Sequence, residues 1–279
     1  SKYSLLGAMR AGAQVISYEA AMGLSLVSVL MTYGTIHLNE IVSVQGELLF
    51  GFIPAWGIIM QPVAALIFIV TAFAEANRTP FDLAEGESEI VGGFHTEYSA
   101  MRFGLFFVGE YVAMSASSAL IVTLFLGGYH LPYLNTYILQ NNLPLFLGAL
   151  CVLMPVGSFF FVRWIQKHNR WAERHDPRNK ESAILQKGLI GINVLVLLGI
   201  GGLLASGLGD TSTAILVATI QVITFAIKLL IVNFVFVWVR WTLPRFRYDQ
   251  LQSLGWNILM PLAIANIMIT AIVIVVKGL

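Results

Sequence analysis

Charge is what this sequence has little of. Only 11% of its 279 residues are Asp, Glu, Lys or Arg, against 57% hydrophobic, and the mean hydropathy is +0.79. Soluble domains carry about a quarter charged residues, so an ordinary water-soluble globule is excluded. Cysteine is scarcer still. Cys151 stands alone inside an apolar run, which excludes an internal disulfide and an iron–sulfur cluster, because a cluster needs several thiolates. Any electrons handled here must come from a partner. No zinc-ligand spacing, P-loop or dinucleotide fingerprint is present, and His37 and His130 each stand alone, so neither reads as a metal ligand. A formal net charge of +1 offers nucleic acid no basic field. The apolar–polar alternation of barrel strands is missing as well.

What the chain does have is long apolar runs. A helix crosses a bilayer with about 20 apolar residues, and runs of about that length occur at 13–33, 52–74, 103–127, 144–164, 188–208, 214–239 and 256–276. Leu, Ile, Val, Phe and Ala fill them without interruption. The expected fold is all-α: a polytopic transmembrane helix bundle of about seven spanning helices, forming one domain over 1–279.

Arginine and lysine set the expected orientation. The loops at 1–12, 75–102, 163–187 and 240–255 hold 2, 2, 7 and 3 of the 16 basic residues, and those at 34–51, 128–143 and 209–213 hold none. Lys228, inside a helix, and Lys277, at the C-terminal end, complete the count. With seven spans the rich loops share one side, as the positive-inside rule requires. The 75–102 loop is then cytoplasmic and the C-terminus outside.

That loop concentrates acid. Glu75, Asp82, Glu85, Glu87, Glu89 and Glu97 are six of the 15 acidic residues, packed between two membrane runs. Pro80 disfavours continued helix and pushes Thr79 towards extended backbone, so the chain should turn sharply after Asn77-Arg78. Crowded like charges need arginines or shared protons. Arg10, Arg78, Arg102, Arg245 and Arg247 share the expected face and can answer them. Pro244-Arg245-Phe246-Arg247-Tyr248-Asp249 reads as a basic and aromatic rim.

Ionisable residues inside hydrocarbon are costly and mark functional paths. Glu19 and Glu110 fall about six and seven residues into their helices, and Lys228 falls about twelve residues from the cytoplasmic end of its own, near mid-membrane at about 1.5 Å per residue. A neutral packing acid or a snorkelling lysine would explain one such group alone. Two acids and a lysine at graded depths, with Glu75 at the mouth, read instead as half of a proton path that ends in mid-membrane.

These residues carry a resemblance. Leu5-Leu6-Gly7-Ala8-Met9-Arg10, Ile16-Ser17-Tyr18-Glu19, the whole of 74–104, Gly109-Glu110-Tyr111 and Pro244–Leu251 resemble the quinone-chamber subunit family of respiratory complex I, which includes NuoH of bacterial NADH:quinone oxidoreductase and mitochondrial NADH dehydrogenase subunit 1. The similarity covers roughly 1–130 and 225–265. It implies a membrane-arm subunit that shapes a chamber for its substrate, quinone, beneath an iron–sulfur cluster held by a partner. Arg10, Arg78, Asp82, Glu85, Glu87, Glu89, Arg245, Arg247 and Asp249 would line or support the chamber. Glu19, Glu75, Glu97, Glu110 and Lys228 would belong to the path coupling quinone chemistry to proton transport. The implied partners are iron–sulfur-bearing peripheral-arm subunits, antiporter-like and small membrane-arm subunits, and membrane lipid, in an energy-transducing membrane of bacterial rather than mitochondrial type.

Two departures from the family pattern stand out. The family begins with about three more helices ahead of the position matching Ser1. The segment 143–210 reads as an inserted helical hairpin whose basic loop, Arg163 to Lys187, fixes topology or meets anionic lipid. Two other functions remain open at this level: the membrane subunit of a proton-pumping hydrogenase, and a stand-alone secondary transporter. The unbroken run from Arg78 to Glu89 resembles the quinone-reducing branch, and the outer helix halves lack the ionisable groups that a path to both faces would use.

Overall fold

The computed structural model describes residues 2–49, 51–83, 98–168, 177–205 and 209–277. In bilayer hydrocarbon an apolar run satisfies its backbone only as a helix, and the described chain is accordingly helical nearly throughout. In order it forms α1 (Lys2–Tyr33), α2 (Leu38–Gln45), β1 (Leu48–Leu49), β2 (Ile53–Pro54), α3 (Gly57–Met60), α4 (Pro62–Glu75), α5 (Ala100–Phe125), α6 (Thr136–Asn141), α7 (Leu143–His168), α8 (Pro177–Ala205), α9 (Asp210–Thr242), α10 (Tyr248–Ser253), a π-helical turn (Leu254–Leu259) and α11 (Met260–Lys277). The only sheet among the described residues is the antiparallel β1–β2 ladder, pairing Leu48 with Pro54 and Leu49 with Ile53. Acidic-loop residues Glu85, Glu87, Glu89 and Glu97 lie outside the described residues.

Among the described residues, six helical stretches are long and apolar enough to cross a membrane, in α1, α5, α7, α8, α9 and the α10–α11 region. This is a polytopic helix bundle of an integral membrane protein. The seventh apolar run, 52–74, is built differently from a single span. It begins in β2 and α3, and only Pro62–Glu75 forms a continuous helix, 14 residues long. At about 1.5 Å per residue that is roughly 21 Å, short of a hydrocarbon core of about 30 Å. The break has a local cause. Gln61 precedes Pro62 and is driven out of helical geometry (φ −135°, ψ 65°), while Pro62 suits the first turn of the new helix.

The chain divides into two compact units, Ser1–Asn135 with Gln221–Leu279, and Thr136–Ile220. In the second, α7 packs on α8, and Leu139, Leu143, Leu147, Ile200 and Val217 form its core. In the first, α1 packs on α4 and α11. The buried face of α1 carries Gln14, Ser17, Tyr18, Ala21, Ser25, Ser28 and Val29, a spacing of three and four that places them in one stripe. Small residues in that stripe let α4 approach closely through Ala64, Ala65 and Ala72. Buried amides then tie helices together. Gln61 donates to Thr32 Oγ1 at 2.8 Å and Thr270 Oγ1 at 2.9 Å, and accepts from Asn266 Nδ2 at 3.0 Å. This one side chain links α1, the start of α4 and α11.

Candidate functional site

The site is built where α4 ends. Asn77 takes a left-handed conformation (φ 47°), and turn hydrogen bonds from Asn77 N–H to Ala74 O and from Phe81 N–H to Arg78 O follow the end of α4 at Glu75; the Thr79–Pro80 bond is cis. α1 holds the turn in place, with Gln14 Nε2 donating to Ala74 O at 2.8 Å and to Asn77 Oδ1 at 3.2 Å. Phe81 lies between two rings, Tyr18 at 5.6 Å and Phe246 at 5.4 Å, the second pair stacked at 18°. Phe246 N–H donates to Pro80 O at 3.0 Å. Tyr18 O–H donates to Leu251 O at 2.8 Å, and Trp256 Nε1–H donates to Ser17 Oγ at 3.1 Å. One face of α1 therefore clamps the Arg78–Asp82 turn and the Pro244–Leu251 rim into a single corner. Arg78 and Asp82 are both 5% exposed.

Arg78 meets α5. Its Nη2 lies 3.5 Å from Glu110 Oε2, with the two side chains 6% and 11% exposed, and its guanidinium sits 4.3 Å above the Tyr111 ring. Neither of those two charged atoms has a hydrogen-bond partner among the described residues. Glu110 also borders a cavity of about 260 Å³ whose lining includes Glu75 and Asn77. The structure thus brings Glu75, Arg78 and Glu110 together at the end of α4. A second cavity, about 370 Å³ and lined only by apolar residues, adjoins the same corner through Phe73, Pro80, Phe81, Leu243, Phe246 and Leu262.

The other residues singled out in the sequence differ in exposure. Arg10 and Glu19 are exposed on α1. Arg245 is half-buried, and Arg247 pairs with Asp249 at 3.6 Å in the open, at 80% and 72% exposure, where an ion pair contributes little.

Lys228 is held at the other end of α5. Its Nζ donates to Leu126 O at 2.7 Å, Gly128 O at 3.0 Å and His130 O at 2.6 Å, and lies 4.7 Å from the centre of the Trp56 ring. Leu126 is 16 residues beyond Glu110, about 24 Å along a helix, so no described contact joins Lys228 to the acids. Beside it Gln45 is fully used. It donates to Thr123 O and Leu124 O, at 3.0 and 3.2 Å, and accepts from Gly57 N–H and Gly127 N–H, at 3.2 and 2.9 Å. His130 is 5% exposed, with its Nδ1 unpartnered among the described residues. Burial first, and then the nearby Lys228 charge, push its pKa below the ordinary 6.5.

Sequence reasoning missed Gln14, Gln45, Trp56 and Phe81 as organising residues, and read His130 as solitary. For Gln14 a signal existed: it is an uncharged amide on an apolar helix face, which a bilayer tolerates only with partners. For Gln45 and His130 no local pattern announces the contact, because both act across the fold.

Among the described residues no group of three His, Cys, Asp or Glu could hold a metal ion.

A family model described as NADH dehydrogenase matches residues 1–175 and 184–271. A NADH-quinone oxidoreductase subunit of Bdellovibrio bacteriovorus is 43% identical over 289 residues, covering 100% of this chain and 60% of that protein. The matching NADH-quinone oxidoreductase subunit of Salinibacter ruber is 37% identical over 278 residues, covering 100% and 61%. NADH-quinone oxidoreductase subunit 8 of Rhodothermus marinus is 37% identical over 273 residues, covering 98% and 60%. The chain spans about three fifths of the length of these curated relatives.

Proposed function

Since the chain belongs to the NADH dehydrogenase family, we propose that it is the quinone-chamber and coupling region of the membrane-arm subunit of a proton-pumping NADH:quinone oxidoreductase. Its matched relatives are named as NADH-quinone oxidoreductase subunits. In this reading Arg10, Arg78, Asp82, Glu85, Glu87, Glu89, Arg245, Arg247 and Asp249 line or support the chamber, and Glu19, Glu75, Glu97, Glu110 and Lys228 serve the coupling path. Reduction of quinone to quinol needs two electrons, which an iron–sulfur cluster of a peripheral-arm partner would supply, and two protons. Antiporter-like and small membrane-arm subunits receive the coupled signal. The basic loops set the acidic loop on the cytoplasmic side of a bacterial energy-transducing membrane and the C-terminus outside.

The observation that carries this reading is the Arg78–Glu110 pair at 3.5 Å, with Arg78 buried and Glu110 largely so, at 6% and 11% side-chain exposure. Arg78 opens the chamber motif and Glu110 belongs to the membrane helix α5. In a low-dielectric site a charge change is felt strongly by its neighbours. A change in charge in the chamber alters the field at Arg78, and Glu110, sharing its cavity with Glu75, is the acid placed to respond. The wholly apolar cavity beside Pro80, Phe81 and Phe246 suits an apolar tail at the same corner.

The test uses the full-length subunit in its native assembly. Glu110→Gln and Asp82→Asn should cripple inhibitor-sensitive quinone reduction while electron transfer from the upstream dehydrogenase to an artificial acceptor continues. Normal quinone reduction in both variants would sink the site assignment. An assembly that evolves hydrogen and ignores quinone would place the chain with the hydrogenases.

A further inference from the structure

The far end of α5 holds Lys228, and the assignment of that lysine to the coupling path does not account for the backbone cradle around it. Gly127 and Gly128 both have positive φ, +74° and +50°, a conformation that glycine alone adopts without strain. They curl the chain so that the carbonyls of Leu126, Gly128 and His130, every second residue, converge on one point. Each glycine is also sterically enforced. A Cβ on Gly127 would come within 2.5 Å of the Trp56 indole nitrogen, and one on Gly128 within 2.6 Å of Val42 Cγ2. The turn is therefore shaped before any cation reaches it. Its own amides are already used, with Gly128 N–H bonded to Val122 O at 2.9 Å, His130 N–H to Gly127 O at 2.9 Å and Gly127 N–H to Gln45 Oε1 at 2.9 Å.

We propose that the 126–130 turn and the face of Trp56 form a binding site for a primary ammonium ion, which Lys228 fills as a tethered ligand. The stoichiometry fits. An ammonium has three N–H donors, and three carbonyls accept them at 2.7, 3.0 and 2.6 Å. The remaining side is covered by the indole ring, 4.7 Å from the nitrogen, a cation–π contact. The carbonyls lie at and beyond the C-terminal end of α5, where the helix dipole is negative and favours a cation. A guanidinium does not fit, because its donors fan out in one plane instead of converging on three acceptors around a point. Lys228 thus acts here as a positioning residue. It fixes where α5 ends and how α9 sits against it, together with the Ser118 Oγ to Asn233 Oδ1 hydrogen bond at 2.7 Å.

The test does not depend on quinone activity. In the full-length subunit within its membrane assembly, Lys228→Ala should speed hydrogen–deuterium exchange of the amides of residues 126–131 by about tenfold or more, the scale set by losing one charge-assisted hydrogen bond. Propylammonium, which replaces the atoms removed, should restore slow exchange in a saturable manner. Tetramethylammonium, with the same charge and no N–H donor, should not. Lys228→Met keeps the length and bulk of the side chain, so it tests the same idea if the alanine variant does not assemble, and it too should speed exchange at 126–131. Unchanged exchange in these variants would overturn the site, as would equal restoration by both cations. Loss of quinone reduction with unchanged exchange would leave the chamber reading standing and this one refuted.

Discussion

Phe81, from the turn after α4, and Phe246, from the rim before α10, stack with centroids 5.4 Å apart and planes 18° from parallel. Their backbones are joined as well, through Phe246 N–H and Pro80 O. Two polar, arginine-bearing loops are thus held together by an apolar contact, itself seated on Tyr18 of α1. Phe81 is 4% exposed, and removing a buried aromatic ring typically costs about 3–5 kcal/mol. Phe81→Ala should therefore lower the thermal stability of the subunit and release both loops, whereas Phe81→Leu should retain most of the stability. Differential scanning fluorimetry of the purified assembly, with limited proteolysis at both loops, reads the two effects together.

The Arg78–Glu110 pair predicts a particular non-additivity. Deleting one partner of a buried ion pair leaves an uncompensated charge and costs about 3–5 kcal/mol, while replacing both is often near neutral. Arg78→Leu alone should therefore destabilise the assembly strongly, and Glu110→Gln added to it should recover much of the lost stability. Quinone reduction should stay low in the double variant, because the charges are gone. Additive loss of stability in the double-mutant cycle would show that the two groups act separately.

His130 gives a pH dependence with a definite sign. Burial and Lys228 hold its pKa in the folded protein below the ordinary 6.5, so below that pH the unfolded chain binds the proton first. Stability is then complete above about pH 6.5 and falls as the pH drops from there towards the lowered folded value, by at most about 1.4 kcal/mol per pH unit for one proton. His130→Gln, which cannot titrate, should remove this component. Melting temperatures of both proteins between pH 5 and 8 would check it: equal slopes in that range would contradict the assignment.

Much of the helical scaffold can be read from the chain, because an apolar run of about 20 residues in a bilayer has one good solution. α5 lies where its hydrophobic run puts it, whereas α1 starts at Lys2 and so takes in residues 2–12, read from sequence as a loop. The stretch 52–61 departs from the single helix that its hydropathy predicts. It is as apolar as its neighbours, yet Pro54, Gly57 and the Gln61-Pro62 step break it into β2, α3 and a new helix start, and hydropathy is blind to such steps. The site divides in the same way. Arg78 and Glu110 each announce themselves as a charge in or beside a membrane run, but their pairing depends on the turn at Asn77. Lys228 reads from sequence as a mid-membrane charge, and its partners turn out to be backbone carbonyls, which no side-chain pattern can signal.

Gly57 tests how tightly that irregular stretch is held. A Cβ built there would lie 2.1 Å from Leu124 O and 2.9 Å from Phe125 Cα, both backbone atoms at the end of α5, so no side chain can swing aside to make room. The contact is also where Gln45 does its bonding, accepting from Gly57 N–H and donating to Leu124 O. Gly57→Ala must push α3 off α5 and stretch both hydrogen bonds. Overpacking costs about 1–3 kcal/mol, and each buried polar group left unpaired costs about as much again, a combined loss comparable with the whole stability of a small domain. We therefore expect Gly57→Ala to lower the yield of assembled complex severely, while Gly23→Ala, in α1 with no atom within 4 Å of the added carbon, leaves the yield near wild type. Native gel electrophoresis of solubilised membranes measures both. Normal assembly of Gly57→Ala would mean that the end of α5 and α3 are not packed together as described.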